Sequence, residues 1–154
     1  LNFMGNELAL FDEWDEAKPI HFDILKYPIH DAFNHFFQDV CKLYKYEKCL
    51  YEGEYDPSTF KWISCDNTNN VFIFERFYKK SSMVVVLNFS AIQYDHYRFK
   101  VSESTGHYVE VLNSDKDIYN GYNFLNDYDI HIDNNEIGIK IPSFSAVVLK
   151  HKLR

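Results

Sequence analysis

Residues 7–16 place five carboxylates, Glu7, Asp12, Glu13, Asp15 and Glu16, around a single tryptophan, Trp14. Saccharide sites use this combination. Carboxylates accept hydrogen bonds from sugar hydroxyls, and an aromatic face covers the apolar face of a pyranose. The competing reading is a solvated acidic loop with Trp14 packed on its neighbours, because acidic side chains are mostly exposed. Phe60 and Trp62 raise the same question further along. Their alternation puts both on one face of a strand, either in a packing contact or as a sugar-stacking platform. Tyr119, Tyr122 and Tyr128 offer more aromatic surface, or half-buried packing with a wet hydroxyl.

The other reactive residue types form no such pattern. Seven histidines lack metal-ligand spacing, and His30 and His35, five apart, fall on different helix faces. They read as scattered surface or capping histidines, and neither a metal nor a cofactor is expected. Cys41, Cys49 and Cys65 are three in number and unpaired in spacing, which fits small apolar thiols in a reducing, cytoplasmic compartment. The formal net charge of −7 comes without a basic stripe, so nucleic acid and anionic membrane surfaces are poor partners. No apolar run approaches the ~20 residues that cross a bilayer. With 154 residues, 46% hydrophobic and 18% aromatic, the composition is globular.

Positioning these residues requires two kinds of element. Leu1 to Met4 reads as a short buried strand that Gly5 ends, followed by a loop through residue 27. Pro28 then suits a first helical position. Asp31 in the first turn and Lys42 and Lys45 near the end complement the helix dipole. Ile29, Phe33, Phe36, Phe37, Val40, Leu43 and Tyr44 recur on one face, predicting an amphipathic helix over residues 28–46. Beyond residue 50 the pattern is β. Phe60–Ile63, Val71–Tyr78, Met83–Phe89, Tyr97–Val101, His107–Leu112, Ile137–Ile141 and Ala146–Leu149 are short strands separated by turn residues. Met83–Phe89 is apolar throughout and reads as a central strand. Residues 115–135 are polar and tyrosine-rich and carry no clear period. The strands suggest an antiparallel sandwich. A strand followed by an amphipathic helix is instead the unit of a (β/α)8 barrel, which takes ~250 residues. The predicted fold is therefore mainly β: an antiparallel sandwich over residues 48–154, preceded in residues 1–47 by the last strand, loop and helix of a barrel.

The order of several short segments resembles the C-terminal part of bacterial 1,4-α-glucan (glycogen) branching enzymes of the α-amylase superfamily. Met4-Gly5, Glu7 and Glu13-Trp14 are similar to the family's last barrel strand and loop. Tyr27-Pro28-Ile29-His30 and Leu43-Tyr44 are similar to the ends of its last barrel helix. Leu50, Asp56, Phe60, Trp62-Ile63, Asn88-Phe89, Tyr97-Arg98, Glu110, Leu112-Asn113-Ser114-Asp115, Pro142 and Ala146–Leu149 continue the likeness in order. The chain departs from the family at Leu8-Ala9-Leu10, where an aromatic residue, Gly and Gln are usual. It departs again at Ile20-His21-Phe22, where Leu-Asp-Trp is usual.

The resemblance implies a parent glycosyltransferase of glycogen biosynthesis, acting by retaining transfer of an α-1,4-glucan chain to a 6-hydroxyl. It implies that the nucleophile and acid/base lie upstream, so no catalytic residue is expected here and this chain alone is expected to be inactive. Its expected partners are α-1,4-glucan or glycogen and the missing catalytic barrel. Glu7 directly follows the strand, at the face where barrel sites form, and with Trp14 it is the candidate substrate-binding residue. Two alternatives stay open: a stand-alone glucan-binding sandwich, and the tail of another hydrolase of the superfamily.

Overall fold

The computed structural model describes residues 2–153. Two helices, α1 (Pro28–Tyr46) and α2 (Lys48–Tyr51), precede eight strands. These are β1 (Phe60–Asp66), β2 (Val71–Tyr78), β3 (Ser81–Asn88), β4 (Tyr94–Lys100), β5 (His107–Asn113), β6 (Ile130–His131), β7 (Glu136–Ile141) and β8 (Ser145–Lys152).

Local chemistry sets the turns. Asp66 ends β1 and accepts from the backbone N–H groups of Thr68 and Asn69 at 3.0 Å each, an Asx turn that brings β2 back alongside. Lys79 and Lys80 alone join β2 to β3, and Lys79 takes a left-handed φ of 54° to close the hairpin.

The strands build two antiparallel sheets. One has six strands in the order β1-β2-β3-β8-β5-β6, and the other is the pair β4-β7. The pair lies over one face of the larger sheet. Between them sits a core that includes Val71, Ile73, Val84 and Val86 from the larger sheet and Phe99, Ile137, Ile139 and Ile141 from the pair. Period-2 patterning supplies it, with Val71, Ile73 and Glu75 pointing inward along β2. Glu75 is fully buried and is satisfied by the Ser102 backbone N–H at 3.0 Å and hydroxyl at 2.5 Å.

The opposite face of the six-stranded sheet carries the helices. Met83, Leu112 and Val148 meet Cys49 of α2 and Phe36 and Leu43 of α1 in a second apolar cluster. The order of layers is helices, large sheet, small sheet. The expected antiparallel sheets and the 28–46 helix are present. The region without a clear period holds a 3-10 turn at Asp117–Tyr119, the two-residue strand β6, and an isolated bridge from Asp133 to Glu136.

The expected strand over Leu1 to Met4 is corrected for its described part. Residues 2 and 3 form no regular element, and Met4 and Gly5 turn with φ of 36° and 85°. Leu1 lies outside the described residues. A parallel strand is stabilised by ladder bonds to neighbours, and among the described residues no strand pairs with residues 2–4.

Candidate saccharide-binding site

The acidic loop is shaped by backbone reversals at both ends of one 3-10 turn, Asn6–Leu8. Gly5 precedes the turn, and Ala9 follows it at a φ of 50°. Gly5 takes a left-handed φ of 85°, which glycine adopts without strain. Leu8 is fully buried and pins the turn.

Two features of α1 hold that turn from the other side. His30, only 4% exposed, has its Nδ1 2.8 Å from the Leu8 carbonyl oxygen. A carbonyl only accepts, so Nδ1 carries the proton and donates. Asn34, one helical turn later on the same face, donates from Nδ2 to the Glu7 carbonyl at 3.0 Å. Phe11 packs edge-on against the His30 ring at 5.0 Å.

Beyond the turn the loop encloses two neighbouring concavities. The larger, of about 870 Å³, is lined by Phe11, Glu13, Trp14, His21 and Tyr27 among others. The smaller, of about 380 Å³, is lined by Phe3, Met4, Leu10 and Trp14 among others. Asp12, Glu13 and Trp14 border both. Trp14 is 45% exposed and is braced edge-on by Phe3 at 5.2 Å, which leaves ring surface open to a ligand.

Glu7 lines neither concavity. Its carboxylate accepts from Asn2 Nδ2 at 2.8 Å. That bond, helped by backbone N–H groups of the turn, holds its pKa below the ordinary glutamate value. An ionised Glu7 is a hydrogen-bond acceptor and not a proton donor at neutral pH. Asp15 is likewise kept ionised, by the Ala17 backbone N–H and then by Lys18. The loop thus presents acceptors and an indole, the equipment of recognition.

The remaining aromatic candidates separate. Phe60, Trp62 and Phe74 form a cluster on the helix-bearing face, with ring centroids 5.2–5.6 Å apart. Trp62 is 52% exposed there, so within this chain it is not a core residue. Alternation puts the next residue, Ile63, against the main core, and a register shift there pairs Ser64 with Ile73. Tyr119 is a packing residue against α1, Tyr122 stands free in solvent, and the Tyr128 hydroxyl reaches Asn126 Oδ1 at 3.3 Å. Cys49 is buried, which raises its thiol pKa, while Cys41 and Cys65 are exposed free thiols. Among the described residues no cluster of three or more His, Cys, Asp and Glu could hold a metal ion. No described helix is long and apolar enough to cross a membrane.

Sequence reasoning did not single out Asn34, and it placed His30 among surface or capping residues. The available signal was their spacing. Two polar side chains four apart, off the apolar stripe and beside a loop of free carbonyls, are suited to tether that loop.

The architecture is an eight-stranded antiparallel sandwich with a helix pair on its outer face. The chain belongs to the family described as alpha amylase, C-terminal all-beta domain, which it matches over residues 62–152. Its relatives include the 1,4-alpha-glucan branching enzyme GlgB of Prochlorococcus marinus (strain MIT 9515), 34% identical over 99% of this chain and 21% of that protein. The protein of the same name from Bacillus subtilis (strain 168) is 35% identical over 82% of this chain and 20% of that protein. The chain thus spans about one fifth of the length of these curated relatives. Among solved structures, AmyP in complex with maltose shares the fold with a TM-score of 0.60 and 17% identity, over 80% of this chain and 21% of that one.

Proposed function

We propose that this chain is the C-terminal end of a 1,4-α-glucan branching enzyme, with residues 1–47 completing a catalytic barrel and residues 48–154 forming its buttressing sandwich. One observation carries the proposal. α1 is held by the loop on one flank and by the sheet on the other, yet Ile29, Phe33, Val40 and Tyr44 between them remain exposed. Their spacing makes a single apolar stripe, and Ile29 is 59% exposed. The last helix of a (β/α)8 barrel packs such a stripe on the strands inside it. Likeness to branching enzymes along nearly the whole chain supports the same assignment.

In that setting the Glu7–Trp14 loop lies at the barrel face where substrate binds. Trp14 stacks on a glucosyl ring and Glu7 accepts from a hydroxyl. The reaction needs two carboxyls ~5–5.5 Å apart, drawn from the ends of several strands. Those strands are not in this chain, so its own role is to bind and support. A second reading, a sandwich that binds glucan without chemistry, draws on the exposed Trp62 cluster.

The test is the gene upstream of Leu1 and the enzyme it encodes. A barrel-coding region with paired catalytic carboxylates, and a product that shifts the iodine spectrum of amylose, is the expected outcome. A lone sandwich gene overturns the assignment, as does a shift in the amylose spectrum produced by these 154 residues alone.

A further inference from the structure

Two polar side chains of α1 take the carbonyls of one short turn, and nothing assigned so far explains why they are there. His30 donates to Leu8 O and Asn34 to Glu7 O, at 2.8 and 3.0 Å. These are sequence separations of 22 and 27 residues, so they are tertiary tethers and not helix caps. The tethered turn is the hinge of the loop. Immediately beyond it the chain forms the walls of both concavities and carries Trp14. The far flank of α1 is fixed in turn. Phe36 and Leu43 sit in the sheet cluster, and Asp39 takes the Tyr119 hydroxyl at 2.6 Å. The helix therefore spans from the sandwich to the loop without a break.

We infer that His30 and Asn34 are positioning residues that fix the Trp14 loop in its ligand-ready shape, and that α1 relays the sandwich's position to them. The physical reason is the cost of order. A loop with left-handed residues at Met4, Gly5 and Ala9 has many alternatives, and two hydrogen bonds to a rigid helix remove most of them before ligand arrives. Loss of one neutral bond lowers the ratio of held to released loop by about fivefold. The role presupposes, from the preceding section, that the loop binds glucan. The tether itself does not.

The experiment uses the 154-residue chain with Trp62→Phe, so that Trp14 is the sole tryptophan. Acrylamide quenching reports the loop, and titration with maltoheptaose reports the site. His30→Leu removes the donor, whereas His30→Asn keeps an N–H at the Nδ1 position. Asn34→Ala removes the second donor at a helix position that tolerates alanine well. Expected are more accessible Trp14 in His30→Leu and Asn34→Ala, maltoheptaose affinity lowered by up to about fivefold in each, and recovery of both readouts in His30→Asn. Unchanged quenching in both deletions, with far-UV circular dichroism unaltered, overturns the inference. So does failure of His30→Asn to recover what His30→Leu loses. Altered quenching in a chain that never binds maltoheptaose upholds the tether and overturns the glucan reading.

Discussion

The Tyr119 hydroxyl donates to Asp39 Oδ2 at 2.6 Å, across 80 residues of chain. Tyr119 belongs to the loop between β5 and β6, and Asp39 to the middle of α1. The bond is short and charge-assisted, and the Tyr119 ring packs edge-on against Phe36 at 5.3 Å. It fastens the helix to the sandwich at a point where apolar packing alone would let it slide. Tyr119→Phe keeps the ring and removes the bond. The expected loss is about 1–2 kcal/mol, read as a lower urea midpoint with an unchanged slope.

The same pair sets a pH window. Lys42 first and Tyr119 second hold the Asp39 carboxyl below the usual aspartate value. Burial first and Asp39 second push the Tyr119 hydroxyl above the usual tyrosine value. A depressed acid contributes stability that is complete above its unfolded pKa, about 3.9, and is lost as pH falls through the folded value. A raised tyrosine contributes stability that is complete below about pH 10 and is lost as pH rises through its folded value. Urea midpoints measured against pH should therefore hold a plateau between these limits and fall on either side. Tyr119→Phe should shallow both falls.

Lys150 of β8 meets Glu47, between α1 and α2, at 2.6 Å, and both side chains are partly exposed. Removing one partner strands the other charge. Lys150→Met is expected to cost about 1–2 kcal/mol. Adding Glu47→Gln should recover much of that loss, because a neutral amide no longer needs the ammonium. Thermal denaturation of the two single variants and the double variant measures the coupling. Equal, additive losses would contradict it.

Gly121 lies where the 113–126 loop folds back on itself. A Cβ there would lie 2.2 Å from the Asp115 carbonyl oxygen, a contact that only backbone movement relieves. Asp115 in turn accepts from the backbone N–H groups of Tyr122 and Phe124, at 3.2 and 2.8 Å. Gly121→Ala should therefore open the loop as well as destabilise the chain, by about 2 kcal/mol. Faster amide exchange at Tyr122, Asn123 and Phe124 than at β3 would locate the damage.

The β pattern was legible because burial repeats. Val71 to Tyr78 was bounded to the residue by its alternation and its flanking turns. Helix α1 was equally plain, since Pro28 and the apolar spacing both mark it. The turn at Asn6–Leu8 was not legible. Its geometry depends on His30 and Asn34, whose spacing suits a tether but does not say which carbonyls they take. The loop over 113–126 was opaque for a related reason. Its order comes from Glu110 and Asp115 accepting backbone and amide N–H groups, a network with no period. For the candidate site, residue type pointed to Trp14, which borders both concavities. Position directly after the expected strand pointed to Glu7, whose carboxylate accepts from Asn2 Nδ2 and lies outside both concavities.

The order β3-β8-β5 inserts the final strand into the middle of the large sheet. During synthesis, β1 to β3 can pair as soon as they leave the ribosome, but β5 has no partner on that side until residues 145–152 emerge. Assembly of the sheet therefore waits until β8 has emerged. Removing even those eight residues would split the sheet into two unpaired halves and not merely trim an edge.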